Sequence, residues 1–147
     1  MNNTILDEDD RTWEFIRISG WAVRYVDGWA AEGAPFGYTV GLSALDHPEL
    51  LMFGFGEGNT AVMLDELAER VLGGERLHAG KVVSFDERIH RATLVPVPDS
   101  TPYLVDANRL FQSPVPALQV VTDDRRGYFP WEEGYSLPVD RQPLLGQ

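Results

Sequence analysis

Three strand-like segments follow one another along this chain before its first long amphipathic helix, and this order restricts the possible folds more than any other feature. Residues 21–26 alternate apolar and other side chains with a period of two, residues 35–42 form a second apolar segment, and residues 49–55 are apolar on both faces. Leucines then recur at helical spacing through residues 60–72. Because strands and helices do not alternate, the sequence excludes a doubly wound sheet and predicts three neighbouring antiparallel strands.

The remaining segments complete the pattern. They are a helix over 9–19, a strand hairpin of 81–85 and 90–97, a short helix over 103–111 and a last strand over 117–122. Asn59 or Thr60 is the predicted N-cap of the long helix, and Gly73 ends it. The sequence therefore predicts one α+β domain over residues 1–147, with a mainly antiparallel sheet of about six strands and two or three helices packed against it.

Composition and charge exclude several classes of function. The chain has no cysteine, which rules out disulfides, thiolate nucleophiles and Cys-ligated metals. Its 23 acidic and 12 basic residues give a net charge of −11, which repels phosphate backbones and anionic lipids. The N-terminus carries no signal-like apolar stretch, so we expect a soluble cytoplasmic protein that binds neither nucleic acid nor membranes. The three histidines show no metal-ligand spacing, and no metal site is predicted.

Three sequence motifs together resemble a known family. They are Gly20-Trp21 at the start of a strand, PFGYTVGLSALDHPELLMFGF at 35–55, and ALQVVTDDRRGYFPWEEGY at 117–135. Over nearly its whole length the chain is similar to DUF4262, a bacterial family of domains of unknown function. Because the function of this family is unknown, the resemblance does not identify a catalytic residue or a cofactor. The cofactor therefore stays unknown.

The grouping Asp46-His47-Pro48-Glu49 is the best catalytic candidate in the sequence. It brings His47 within two residues of two carboxylates, which is typical of a general base or of metal ligands. The same residues are also ordinary turn chemistry, in which Asp46 caps backbone amides and Pro48 fixes the entry to the next strand. We name His47 as the candidate catalytic residue and Glu49 as a candidate binding residue.

Two further segments hold candidate binding residues. Tyr38 and Thr39 lie among glycines, which lets a ligand approach the backbone, and Trp21 is a further candidate binding residue. Alternatively, the glycines accommodate Trp21 or Trp29, and Tyr38 is a core residue with a satisfied hydroxyl. Gln119 and Asp123 precede an aromatic segment that is rigidified by proline. That segment contains Tyr128, Phe129 and Trp131, which form either a partner-binding surface or a lid that folds back over the sheet.

These observations support three hypotheses about function. The leading one is an acidic protein-binding module, of inhibitor or immunity type, that uses its charge and its aromatic segment. The alternative is a small-molecule or flavin-type enzyme with a pocket between the Tyr38-Thr39 strand and the Phe129–Trp131 segment, in which His47 is acid or base and Gln119 a hydrogen-bond donor. The third is a homodimer in which the strand Glu49–Phe55 pairs at a sheet edge.

Overall fold

The computed structural model describes residues 8–27, 34–85 and 90–146. Its elements, in chain order, are α1 (Glu8–Ser19), β1 (Ala22–Val26), β2 (Phe36–Val40), β3 (Glu49–Phe53), α2 (Gly56–Leu72), β4 (Val82–Ser84), β5 (Arg91–Pro96), α3 (Val105–Phe111) and β6 (Ala117–Thr122). A 3₁₀ helix, Leu42–Leu45, joins β2 to β3. The described helices and strands follow the predicted order.

The strands form one sheet with the order β1-β2-β3-β6-β5-β4 within the described residues. All neighbours are antiparallel except β3 and β6, which run parallel with Leu51 opposite Gln119. The fold is therefore α+β with a mostly antiparallel sheet. The predicted hairpin is β4–β5, and residues 86–89 of its turn lie outside the described part of the chain.

The prediction that the strand from Glu49 lies at a sheet edge is wrong. β3 lies between β2 and β6, and all five of its residues are buried. A strand that is apolar on both faces is stable where both faces are covered and both edges are paired, which is the middle of the sheet. The edge positions belong to β1 and β4, so a homodimer through β3 is not available.

Helices cover the two faces of the sheet separately. Leu64 and Leu67 of α2 pack against one face, in a core that includes Leu50 of β3 and Val120 of β6. On the opposite face, a second core joins Ile16 of α1 and the buried side of α3 to β1, β2 and β3. The six-stranded sheet is thus the middle layer of three.

Two element boundaries differ from the predicted ones. Helix α2 begins at Gly56, before the expected caps, and Phe55 precedes it without any side-chain capping bond. The chain turns directly out of β3 through Gly54, whose φ of 95° is open to glycine at little cost. β2 ends at Val40 because Gly41 then adopts a φ of 133° and starts the 3₁₀ helix.

Residues 139–146, which we call the C-terminal segment, cover the part of the second face of the sheet that α1 and α3 leave open. The side chain of Gln119 in β6 donates to the Pro143 carbonyl at 2.7 Å and accepts from the Leu145 N–H at 3.0 Å. Leu145 packs against the second core. Among the described residues, no helix is long and apolar enough to cross a membrane.

Candidate functional site

His47 joins two segments of backbone. Its Nδ1 donates to the Pro48 carbonyl at 2.8 Å and its Nε2 accepts from the Leu77 N–H at 2.9 Å, which assigns the neutral tautomer protonated at Nδ1. The residue is 2 % exposed. Since both ring nitrogens are occupied, His47 has no nitrogen left to take a proton from a substrate. Asp46 contributes its carbonyl, which accepts from Arg76 at 2.7 Å.

Glu49 is fully buried, and its carboxylate organises the turn between β2 and β3. The two oxygens accept five hydrogen bonds, from the backbone N–H groups of residues 41–43 and from the hydroxyls of Thr39 and Ser43, at 2.7 to 3.2 Å. Thr39 in turn accepts the N–H of Leu50 at 2.9 Å. These donors replace the water that the charge loses on burial, so the predicted binding residues Thr39 and Glu49 hold the fold together.

Tyr38 and Trp21 are also engaged within the protein. The Tyr38 hydroxyl accepts the N–H of Asp106 at the start of α3 at 3.0 Å, and burial raises the pKa of Tyr38 to about 12. Trp21 donates from Nε1 to Asp65 of α2 at 2.8 Å. Each side chain fastens a helix to one face of the sheet.

The structure does not bring the two walls of the predicted pocket together. Tyr38 and Thr39 lie in β2, whereas Phe129 lies against Arg91 at the start of β5, and β3 and β6 separate these strands. The side-chain amide of Gln119, the expected hydrogen-bond donor of the pocket, is hydrogen-bonded to the backbone of residues 143 and 145. The described residues therefore form no pocket between the Tyr38-Thr39 strand and the Phe129–Trp131 segment.

Asp123, Phe129 and Trp131 do come together, where β6 ends. The Asp123 carboxylate accepts from the Arg91 N–H at 3.0 Å and from its guanidinium at 3.2 Å. The same guanidinium donates to the Gly127 carbonyl and lies 5.3 Å from the centre of the Phe129 ring. Asp123 and Arg91 thus fix the base of the aromatic segment.

The aromatic segment divides between the interior and the solvent. Phe129 is 7 % exposed, and Trp131 stacks on it with ring centres 5.4 Å apart and planes 7° from parallel. Trp131 itself is 51 % exposed, and Tyr128 is also exposed. Phe129 is therefore buried, whereas Tyr128 and Trp131 form a surface. We call Tyr128, Phe129, Trp131 and Glu132 the Trp131 surface.

Asp124 shapes the turn that carries this surface. Its carboxylate accepts from the N–H groups of Arg126, Tyr128 and Ser136 and from the Ser136 hydroxyl, at 2.8 to 2.9 Å. Desolvation opposes the charge, but these hydrogen bonds outweigh it and lower the pKa of Asp124 to about 2. An ionised Asp124 therefore stabilises this turn.

Sequence reasoning missed His90 and Arg91. His90 donates from Nδ1 to Asp123, with the carbonyl at 2.9 Å and Oδ1 at 3.1 Å, and its ring packs edge-to-face with that of Phe55. No local motif marks either residue, because their partner lies more than thirty positions away along the chain. Asp124 did carry a signal, since an aspartate three residues before Gly127 is typical of a turn.

Across the described ranges, no three His, Asp or Glu side chains converge as metal ligands would.

Comparisons with known proteins identify the family to which this chain belongs. No curated protein and no solved structure matches the chain. The family described as "Domain of unknown function (DUF4262)" matches residues 15–136, which is most of the chain and runs from the second half of α1 through the Trp131 surface. The chain therefore belongs to the DUF4262 family.

Proposed function

We propose that this protein is an acidic protein-binding module, of inhibitor or immunity type, that binds a basic partner protein through the Trp131 surface. The observation that carries the proposal is the stack of Trp131 on Phe129. A tryptophan that is half exposed yet held rigidly loses little conformational entropy on binding. Aromatic side chains of this kind supply most of the binding free energy in many interfaces.

The framework beneath the stack supports this role. Phe129 is buried against Arg91, Arg91 is held by Asp123, and Asp124 fixes the preceding turn. The surface is thus preorganised, and a partner need not order it.

Charge defines the kind of partner. A net charge of −11 attracts basic proteins over distances beyond direct contact and accelerates their encounter. Arg125 and Arg126 are exposed at the tip of the same turn and oppose this attraction locally. Replacing both by glutamine should strengthen binding of a basic partner, and raising the salt concentration should weaken it.

Site-specific photo-crosslinking in the native cell tests the proposal. A photoreactive phenylalanine analogue is placed at position 131, and in a matched control at Val62, an exposed residue in α2. We expect one basic protein to crosslink from position 131 and not from position 62. The purified partner should then bind wild type with an affinity that falls with salt and with Trp131→Ala.

Two outcomes would contradict the proposal. One is a set of crosslinked proteins that is the same at positions 131 and 62. The other is a partner whose affinity does not change with salt, since the charge of the module would then play no part.

A second candidate function is small-molecule chemistry at His90. Asp123 fixes the Nδ1 side of the ring, and no described residue bonds to Nε2, which is the arrangement of a general base. Wild type and His90→Gln should be compared on ester and phosphoester substrates. An activity that the variant retains would not depend on His90, and His90 would then be rejected as its general base.

A further inference from the structure

We propose that Trp131 and Glu132 form a binding site for one arginine side chain of the partner protein, an inference that rests on the proposed function. One face of the Trp131 indole covers Phe129, with the ring planes 7° from parallel. Trp131 is 51 % exposed, and the face of the indole opposite Phe129 is the one from which a ligand can approach the ring. A cation placed over that face is attracted by the electrons of the ring.

Glu132 provides the negative charge beside this ring. Its Oε1 accepts the Phe129 N–H at 2.7 Å, which holds the carboxylate next to the aromatic stack. Of the residues that the structure describes, none donates to Oε2. The residue that follows Trp131 thus carries a carboxylate that is fixed through one oxygen and has the other oxygen left to accept from a cation on the ring.

The geometry favours arginine over lysine. A guanidinium is planar, stacks on an aromatic face and can donate to a carboxylate from the same plane, whereas an ammonium is a hydrated point charge. Among the described residues, arginine lies over an aromatic ring in two places, with Arg91 over Phe129 at 5.3 Å and Arg141 over Phe55 at 5.4 Å.

Short peptides test the site without knowledge of the partner. The probes are acetyl-Gly-Arg-Gly-amide and the same peptide with lysine or citrulline in place of arginine. Binding is followed by NMR through the backbone amides of residues 129 and 133, which remain observable in every variant. We expect saturable shifts with the arginine peptide at roughly millimolar concentration and much weaker shifts with the other two.

The variants separate charge from structure. Glu132→Gln keeps an oxygen to accept the Phe129 N–H but removes the charge, and should weaken binding of the arginine peptide about tenfold. Glu133→Gln makes the same change in net charge at the neighbouring exposed position and should have a much smaller effect. Trp131→Ala should abolish the shifts.

Equal binding of the lysine peptide, equal effects of Glu132→Gln and Glu133→Gln, or no binding of any peptide would each overturn the arginine site. The proposed function fails separately. A basic partner that crosslinks at position 131, without arginine selectivity, would overturn only the arginine site. Arginine-selective binding without any crosslinked partner would overturn only the proposed function.

Discussion

At the scale of single residues, Glu49 shows how a buried charge can be structural. The carboxylate receives five hydrogen bonds, three of them from consecutive backbone N–H groups, and these replace the water lost on burial. Pro48 and Glu49 begin β3 in the sequence pattern, but nothing local shows that residues 39–43 would turn back to donate to this side chain.

Replacing Glu49 should therefore be costly even when its size is kept. Glu49→Gln places an NH₂ group among N–H and O–H donors, and we expect a loss of about 3 kcal/mol in the free energy of unfolding. Urea denaturation measures it. The control Glu69→Gln, at an exposed position of α2, should change stability by less than about 0.5 kcal/mol. Equal effects of the two substitutions would contradict the assigned role.

Asp124 gives a prediction about pH. Its pKa is lowered from 3.8 to about 2, so its contribution to stability is complete above the unfolded value and is lost as the pH falls through about 2. Asp124→Asn should lower the Tm by several degrees at pH 7. The difference in Tm between variant and wild type should shrink between pH 4 and pH 2. A constant difference across that range would show that the charge of Asp124 is not what stabilises the turn.

Some residue roles could be predicted from sequence and others could not. Phe129 and Trp131 are two positions apart, so their stacking follows from local chain geometry, whereas Asp123 is linked to Phe129 through the distant Arg91. His47 fitted a turn or a general base equally well until its contact with Leu77, thirty residues away, became visible. The same limit hid the pairing of His90 with Asp123.

At the scale of elements, the contact of α2 with β2 depends on the absence of one side chain. A Cβ built on Gly37 would lie 2.6 Å from the Thr60 methyl group. The φ of Gly37 is not positive, so a substitution there would cause this close contact without additional backbone strain. Gly37→Ala should therefore push the helix away and cost about 1 to 3 kcal/mol.

A double-mutant cycle identifies the cause of that cost. Thr60→Ser removes the methyl group that a Cβ at position 37 would contact and keeps the hydroxyl. Gly37→Ala should therefore lower the free energy of unfolding clearly less in the Thr60→Ser background than in wild type. Chemical denaturation of the four proteins gives the coupling. Additive effects would mean that α2 does not rest directly on Gly37.

Periodicity predicted the order of the elements well, because each has an apolar pattern of its own period. The predicted boundaries of the elements were wrong where tertiary contacts, and not local sequence signals, determine where an element begins or ends. Helix α2 starts at Gly56 without a side-chain cap, and the 3₁₀ helix Leu42–Leu45 is held by Glu49 from the following strand. The pairing of β3 with β6 joins residues 68 positions apart, and no local pattern encodes it.

At the scale of the whole molecule, the C-terminal segment covers β6 on the face of the sheet where α1 and α3 cover the neighbouring strands. The Gln142 amide pairs with both backbone groups of Thr122, at 2.9 and 3.0 Å. Gln142→Ala should leave these buried groups unpaired, cost about 2 kcal/mol and speed hydrogen exchange of the Thr122 amide. Val139→Ala, in the same segment but exposed, is the control. Unchanged exchange at Thr122 would contradict the role of Gln142.

The central place of β6 has a consequence during protein synthesis. Of the strands that the structure describes, β6 is synthesised last, yet within the sheet it is the strand that pairs with both β3 and β5. Until it emerges, the inner edges of β3 and β5 are unpaired in the nascent chain, and unpaired strand edges promote aggregation. Pauses in translation that hold β6 inside the ribosome should therefore increase the need for chaperones, whereas pauses after β6 has emerged should not.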